Sequence, residues 1–270
     1  LDGYTTQLLN GALLAELTGI DVVTDFRSRD IAAGGQGAPL VPAFHHAMFA
    51  SAREEVAVLN IGGMSNLSLL PALDDDTKVI RGFDCGPGNV LLDMWVNRCL
   101  NLPFDRDGAW GASGQVDGAL LRTLLAEPFF QQAPPRSTGR DLFNDMWLDR
   151  ALASHGQLPP EDVQATLVEL SASCVTQSLA LYGPASTALL VCGGGVFNQL
   201  LMTRLQEQLA TLMPSTAVHS SATRGLPPME VEAAAFAWLA RQFVLRLPGN
   251  LPAVTGSRSL RVLGAMHPAG

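Results

Sequence analysis

Three glycine-rich turns, each directly after a short apolar stretch, constrain the fold of this chain more than any other feature. The central turn lies in residues 79–90, V-I-R-G-F-D-C-G-P-G-N-V, where Val79 and Ile80 lead into the glycines. An apolar segment that continues to Trp95 follows directly. This order predicts a strand, a tight turn and a helix.

Asp84 is the one carboxylate of this central stretch, and it follows the predicted strand. In an open α/β sheet a general base or a metal-orienting group belongs at a strand end. Gly86 and Gly88 lack a Cβ, so their backbone can approach a ligand closely. An aspartate in this place is equally expected as the N-cap of the next helix. The residues alone leave both interpretations of Asp84 open.

Two further glycine turns repeat the pattern. Residues 56–70, V-A-V-L-N-I-G-G-M-S-N-L-S-L-L, predict a hairpin with Asn60, Gly62 and Gly63 at its tip. Residues 188–205 predict a buried strand, three glycines and an amphipathic helix that begins near Asn198. This glycine run matches neither G-x-x-x-x-G-K-S/T nor G-x-G-x-x-G, so a hydride-transfer enzyme is poorly supported.

Two polar loops could contribute to a site. Arg27 and Arg29 lie beside Asp25 and Asp30, and could bind a carboxylate or phosphate or simply form a local ion-pair cluster. Residues 134–144, P-P-R-S-T-G-R-D-L-F-N, could line a pocket, although most loops of this kind are surface connections.

Composition excludes several classes of protein. The 270 residues are 47% hydrophobic and 16% charged, which predicts a well-buried core in one large or two modest domains. The net charge of -8 argues against non-specific binding to nucleic acid or to an anionic membrane surface. No apolar run reaches the roughly 18 residues that span a bilayer. Four cysteines without a C-x-x-C pair, and no recognisable signal peptide, predict reduced thiols in a cytoplasmic protein without a bound structural metal.

Taken together, the motifs resemble the anhydro-N-acetylmuramic acid kinases, which belong to the sugar kinase, Hsp70 and actin ATPase superfamily. The resemblance runs from about Asn10 to the C-terminus and is carried by eight stretches in one order: 25–45, 60–70, 82–89, 104–110, 135–140, 164–172, 191–198 and 247–256.

The resemblance implies an α/β, two-domain ATPase fold with a cleft between the domains. Residues 1–52 would be the remnant of the first domain, and residues 53–229 would form the second, nucleotide- and sugar-binding domain. Residues 230–270 would return toward the first domain as a helix and a tail.

The resemblance also implies a reaction. ATP, with Mg²⁺, would phosphorylate 1,6-anhydro-N-acetylmuramic acid while water opens its anhydro bridge, giving N-acetylmuramic acid 6-phosphate and ADP in cell-wall recycling. Asp84 would be the general base for that water. The implied nucleotide-binding residues are Asn60, Gly62, Gly63, Gly86, Gly88, Gly193, Gly194, Gly195 and Asn198. The implied sugar-binding residues are Arg27, Gln36 and Glu230. The family suggests a homodimer.

One part of the family pattern is missing. Family members begin with an S-G-T-S-x-D-G phosphate loop and carry a later H-G-Q-T motif, whereas this chain opens L-D-G-Y-T-T-Q. Only L-D-G could match the end of that loop. We therefore expect the first domain to be incomplete, with unpaired strand edges and an exposed apolar face.

Three functions fit the sequence. The first is the kinase of this family, and the second is a related sugar kinase with another substrate. The loops at 25–39 and 134–140 favour the anhydro sugar over other sugars. The third is a catalytically impaired fragment that binds nucleotide or sugar without turnover, and the missing phosphate loop is its main support.

Overall fold

A computed structural model describes residues 3–270, so the first two residues of the L-D-G opening lie outside it. The strands are β1 Val22–Thr24, β2 Glu55–Ile61, β3 Met64–Leu70, β4 Arg81–Pro87, β5 Ser186–Cys192, β6 Ala217–Ser220 and β7 Ala265–His267. The helices are α1 Gly11–Thr18, α2 Ser28–Ala32, α3 Val41–Phe49, α4 Val90–Leu100, α5 Gly118–Leu125, α6 Asp145–Leu152, α7 Pro160–Tyr182, α8 Gln199–Leu212, α9 Val231–Val244 and α10 Pro252–Thr255. The predicted α/β class is confirmed.

The main sheet has the strand order β4-β3-β2-β5-β6. β3 is antiparallel to both β2 and β4, whereas β2, β5 and β6 are parallel to one another. It follows that β2, β4, β5 and β6 all run in the same direction. Their carboxyl ends therefore meet at one edge of the sheet, which also carries the turn between β2 and β3.

The sheet is covered on both faces because inward and outward side chains alternate along its strands. One face carries Leu59, Leu67 and Phe83, which pack in a large core with α4, α5, α7 and α8. The other face carries Val58 and Leu190, which pack with α3 and α9 in a smaller core. The second face is therefore less covered by helices, and its polar end residues remain accessible.

The central strand differs from its prediction. Val79 and Ile80 lie outside β4, which runs through the glycine motif from Arg81 to Pro87. Asp84 is therefore the middle residue of a strand and does not end one. Pairing with β3 outweighs the poor intrinsic strand preference of this glycine-rich stretch. The helix-capping interpretation of Asp84 is also wrong, because the N-cap of α4 is Asn89.

A β-bulge lies at this point of β4. Ser65 pairs with Gly86 and Asn66 pairs with Asp84, so Cys85 is the extra residue. Gly86 has a φ of 150°, which a residue with a side chain rarely adopts. Bulges near sites redirect a neighbouring side chain, and here the redirected neighbour is Asp84.

The remaining elements form a smaller unit around the antiparallel pair β1–β7. α1 ends at Thr18, and its C-cap Gly19 has the left-handed conformation that glycine adopts readily. Only Gly11 and Ala15 of α1 are buried, and Leu13 and Leu17 are 52% and 74% exposed. α1 thus presents an apolar face to solvent.

The C-terminal part contains the predicted helix and a structured tail. α9 begins at Val231, and Glu230 is its N-cap residue. The tail contains α10 and contributes β7 to the small sheet. Within residues 3–270, no helix combines the length and apolar character needed to cross a membrane.

Candidate functional site

Three predicted glycine turns meet at the carboxyl edge of the main sheet. The amide groups of Gly88 and Asn89 donate to the carbonyl oxygens of Gly63 and Gly62, both at 2.8 Å. A Cβ at position 88 would lie 2.6 Å from the Gly62 carbonyl oxygen, so only glycine fits this crossing. The β2–β3 turn and the start of α4 are therefore locked together.

This locking changes the expected role of Gly88. Its N–H group, together with those of Asn89 and Val90, is used within the protein and does not point at a ligand. The N-terminus of α4 consequently offers fewer free N–H groups than the sequence predicted. The contribution of Gly88 is close packing.

The glycine turn after β5 packs against the same hairpin. Gly193 has a φ of 81°, and a Cβ there would lie 2.5 Å from Asn60 Oδ1 and 2.7 Å from the Ile61 carbonyl oxygen. A Cβ on Gly195 would lie 2.3 Å from Ile61 Cγ2. Both positions need glycine because the backbones of β2 and β5 approach so closely.

Two glycine amides at this edge are uncommitted. Gly63 and Gly194 are exposed, and within residues 3–270 their N–H groups donate no hydrogen bond. The N–H group of Gly62, by contrast, donates to Met64, and that of Gly193 donates to Pro228. Exposed, unpaired N–H groups on adjacent turns are the arrangement that binds phosphate oxygens.

A row of polar side chains crosses the open face of the sheet beside these turns. Cys192 pairs with Asn60, Asn60 with Asn66, and Asn66 with Asp84. Asn66 was not among the predicted site residues. The two-glycine turn of the β2–β3 hairpin fixes the register that places Asn66 opposite Asn60, and this signal was present in the sequence.

The carboxylate of Asp84 is held on one side only. Its Oδ2 accepts hydrogen bonds from Ser137 Oγ at 3.0 Å and from the Thr138 N–H at 2.9 Å. Within the described chain no donor reaches Oδ1. Burial raises the pKa of Asp84, and the Thr138 and Ser137 hydrogen bonds and the charge of Arg136 oppose that rise. The loop at 134–140 is thus part of the site and not a plain surface connection.

A second carboxyl group near this edge, Asp93, was missed from the sequence. Asp93 lies in the first turn of α4, where an acidic residue is ordinarily read as a partner of the helix dipole. Burial raises its pKa to about 6, against the opposing charge of Arg140. A carboxyl group that titrates near neutral pH can exchange protons with a ligand.

Hydrogen bonds within the fold define the positions of two other predicted residues, Asn198 and Glu230. Asn198 is buried, and its Oδ1 accepts from the Leu201 N–H as the N-cap of α8. Its oxygen is therefore occupied within the fold. Glu230 is exposed and lies two residues after Pro228, which accepts from the Gly193 N–H at 3.1 Å. The turn at 227–230 is thereby tied to the glycine edge.

The predicted sugar loop lies in the smaller unit. Arg27 Nη1 donates to the Gly37 carbonyl at 2.6 Å, and within residues 3–270 no ion pair joins Arg27 or Arg29 to Asp25 or Asp30. The alternative of a local ion-pair cluster is therefore wrong.

Asp30 instead organises a buried network. Its carboxylate accepts from the Gly37 N–H at 2.9 Å, and from Asn250 Nδ2 and Thr255 Oγ1 at 2.8 Å each. Gln36 is exposed, and its N–H donates to the Thr255 carbonyl at 2.8 Å. These bonds attach the loop to α10.

α10 in turn connects this loop to β4. A Cβ on Gly82 would lie 2.5 Å from Pro42 and 3.3 Å from Val254 of α10. Gly82 lies two residues before Asp84. The smaller unit therefore packs directly over the strand that carries Asp84, on the open face of the sheet.

The sequence of this chain matches one family over nearly its whole length. A family model described as "Anhydro-N-acetylmuramic acid kinase" matches residues 2–269. A protein of that name from Variovorax paradoxus (strain S110) is 59% identical over 268 residues, which is 99% of this chain and 70% of the relative. One from Pseudomonas paraeruginosa (strain DSM 24068 / PA7) is 56% identical over 266 residues, 98% of this chain and 71% of the relative.

A solved structure also shows a weak likeness. The activator of the 2-hydroxyisocaproyl-CoA dehydratase from Clostridium difficile aligns over 72% of this chain and 61% of its own, at 13% identity and a TM-score of 0.44. A likeness of this size carries no weight for function. The sequence matches, which cover 98–99% of this chain and 70–71% of each relative, do not support the expectation of an incomplete first domain.

Proposed function

The chain belongs to the anhydro-N-acetylmuramic acid kinase family, and on that premise we propose that it phosphorylates 1,6-anhydro-N-acetylmuramic acid with ATP. A kinase role follows from the family. The proposal goes further in naming the sugar, the use of water and the products, N-acetylmuramic acid 6-phosphate and ADP. Cell-wall recycling in the cytoplasm is the proposed setting.

The observation that carries the proposal is the one-sided fixation of Asp84. Two donors hold Oδ2, which orients the carboxylate and favours its ionised form, while Oδ1 is left to accept a proton. We assign Asp84 as the general base. It takes a proton from water as the water oxygen bonds to the anomeric carbon, and the bond from that carbon to O6 breaks.

The freed O6 then takes the γ-phosphoryl group of ATP, and ADP leaves. Such a transfer depends mainly on positioning and on charge stabilisation. The uncommitted N–H groups of Gly63 and Gly194 are suited to phosphate oxygens. In the proposed nucleotide site Gly86, Gly88, Gly193 and Gly195 provide close packing. The Gly62 carbonyl accepts from the Asn89 N–H, and Asn60 and Asn198 border the site.

Mg²⁺ fits the same edge. Within residues 3–270, no three histidine, cysteine or acidic side chains are grouped to hold a metal, so a resident ion bound by protein alone does not fit. Mg²⁺ commonly reaches kinases with the nucleotide, bound by phosphates, waters and few protein oxygens. Asn60 Oδ1, which lies in the polar row beside these turns, is a suitable oxygen. When bound, the ion neutralises phosphate charge.

We propose that the sugar lies between the main sheet and the smaller unit. Arg27, Gln36 and Glu230 are the proposed contacts, because the loop at 25–39 attaches through α10 to β4 and Glu230 follows the turn bound to Gly193. The proposed division is then 1–52, 53–229 and 230–270, with the cleft between the two units. A homodimer is proposed from the family alone.

ADP release tests the proposal. The purified chain is mixed with ATP and Mg²⁺, with and without the anhydro sugar, beside Asp84→Asn. We expect sugar-dependent release that falls by about 10³-fold in the variant, because a general base contributes roughly 10²–10⁴-fold. ATP binding without any sugar-dependent release would instead select the impaired-fragment alternative. Release driven equally well by another sugar would select the related sugar kinase.

A further inference from the structure

Two hydrogen bonds join Arg136 to the backbone of Asp84, one of them from the Arg136 side chain. Arg136 Nε donates to the Asp84 carbonyl at 2.9 Å, and the Asp84 N–H donates to the Arg136 carbonyl at 3.1 Å. This reciprocal pair attaches the loop at 134–140 to the outer edge of β4. The two donors to the Asp84 carboxylate, on Ser137 and Thr138, come directly after it in the chain.

The rest of the guanidinium group ties the loop to two other elements. Nη1 donates to the carbonyl oxygens of Phe130 at 3.0 Å and Gln132 at 2.8 Å. Nη2 donates to Ser178 Oγ of α7 at 2.8 Å. Arg136 is only 8% exposed, so four acceptors around one planar head fix its position.

Aromatic rings complete the surroundings of this cation. Its guanidinium carbon lies 5.1 Å, 5.6 Å and 5.9 Å from the ring centroids of Phe129, Phe83 and Tyr182. Within residues 3–270 no carboxylate lies within ion-pair distance of Arg136. Burying a cation without a paired anion costs free energy, which the four hydrogen bonds and three aromatic rings offset here.

Arg136 acts on the neighbouring carboxylate of Asp84 in two ways. The charge of Arg136 lowers the pKa of Asp84 against the rise that burial causes. Its hydrogen bonds also hold the segment whose Ser137 and Thr138 groups orient the carboxylate. One side chain thus lowers the pKa of Asp84 and also holds the segment that orients its carboxylate.

We propose that Arg136 is a positioning residue for the base of the reaction. It touches neither reacting atom, and acts by keeping Asp84 ionised and by keeping Oδ1 turned toward the water. This inference rests on the proposed role of Asp84. The effect of Arg136 on the position and ionisation of Asp84 can, however, be measured without any substrate.

The test compares Arg136→Gln, Arg136→Lys and a control, Arg122→Gln, whose arginine is exposed on α5. In Arg136→Gln we expect kcat to fall by about 10- to 100-fold with the KM for ATP nearly unchanged, since the base is misplaced and the nucleotide edge is not. The acidic limb of the kcat/KM profile should move to higher pH.

Hydrogen exchange of the Thr138 amide gives the substrate-free readout. It should speed up by about tenfold or more in both Arg136 variants, because the Asp84–Thr138 bond opens more often. Arg136→Lys should keep the acidic limb nearer its original pH, since it keeps the charge but not the four-acceptor geometry. Arg122→Gln should change neither readout.

Lower kcat with unmoved Thr138 exchange and an unmoved pH limb would overturn the proposal and leave Arg136 with a role in folding alone. Should Arg136→Gln fail to fold, unchanged Thr138 exchange in Arg136→Lys would overturn it equally. Absence of sugar-dependent ADP release from the unmodified chain would refute the proposed function instead. Titration of the Asp84 carboxyl group by NMR and Thr138 exchange would then still decide the role of Arg136.

Discussion

Asp84 and the glycine turn after β5 lie at the same edge of one sheet, but different parts of the chain hold them in place. Asp84 is held by side chains and amides of a loop more than 50 residues later in the sequence, with separations of 52 to 54 residues. Gly193 is held by backbone packed against β2, with no side chain of its own. A charged group must be oriented by partners, whereas N–H groups that face phosphates must be left bare.

Substitution in the glycine turn after β5 should therefore destabilise the fold more than the other changes considered below. Gly193→Ala introduces a Cβ 2.5 Å from Asn60 Oδ1 at a φ of 81°, so strain and overpacking should together cost about 2–5 kcal/mol of unfolding free energy. Urea unfolding measures the cost, and ATP binding should weaken in parallel.

Gly225→Ala is the matched control for that change. Gly225 has nearly the same φ, 82°, but nothing lies within 4 Å of its added Cβ. Only the backbone strain of about 1–2 kcal/mol should remain. Equal losses in the two variants would show that close packing of β2 and β5 is unimportant.

The stability of the fold also depends on pH, through a residue other than Asp84. Buried His45, whose Nδ1 lies 2.8 Å from Ser68 Oγ, has its pKa lowered from 6.5 to about 3 by burial. The unfolded chain therefore binds this proton first, and stability should fall as the pH drops from 6.5 toward 3. The slope is about 1.4 kcal/mol per pH unit, or about 2 kcal/mol between pH 6.5 and 5.

His45→Gln cannot take up that proton. Its unfolding free energy should depend less steeply on pH over the same range, because unfolding then takes up one proton fewer. Its stability at pH 8 should be lower than that of the unmodified chain. Urea midpoints between pH 5 and 8 measure the two slopes. Parallel slopes would mean that His45 is protonated in the folded protein.

The charge around Asp84 can be changed by a substitution that keeps the size of the neighbouring side chain. Asn66→Asp places a second carboxylate directly opposite Asp84, which should raise the pKa of Asp84 further. kcat/KM at pH 6 should fall by about three- to tenfold and recover at higher pH. Asn97→Asp, an exposed position on α4, carries the same charge change and should leave the profile in place. An unmoved profile in both variants would argue against Asp84 as the base.

The smallest effect is expected from a surface cation. Arg98 of α4 pairs with Asp145 and Asp149, all of them substantially exposed, and makes no contact with Asp84. Arg98→Ala should cost less than about 1 kcal/mol of stability, because exposed ion pairs contribute little. Urea unfolding measures this loss, and a loss well above that limit would mean that this exposed ion pair contributes to stability as a buried one does.

Local patterns were enough to predict much of the fold. The Gly62–Gly63 pair between two apolar runs predicted the β2–β3 hairpin, and the apolar run before three glycines predicted β5 and a helix near Asn198, where α8 begins. The meeting of the glycine turns at one edge follows from strand direction, and the nucleotide and sugar contacts assigned to them stay predictions.

The rest depends on contacts between distant residues. β4 forms through a glycine motif because β3 pairs with it, and its bulge at Cys85 has no local signature. The bond from Thr138 to Asp84 and the burial of Asp93 likewise arise only when the chain is folded. Hydrophobic periodicity cannot report on either.

The most direct test of Asp84 as the base for water is to run the reaction in H₂¹⁸O and locate the label by rapid mass spectrometry. We predict ¹⁸O at the anomeric carbon of N-acetylmuramic acid 6-phosphate and none in its phosphate, with product formation lost in Asp84→Asn. Label in free phosphate without a labelled sugar product, or full turnover by Asp84→Asn, would contradict the account.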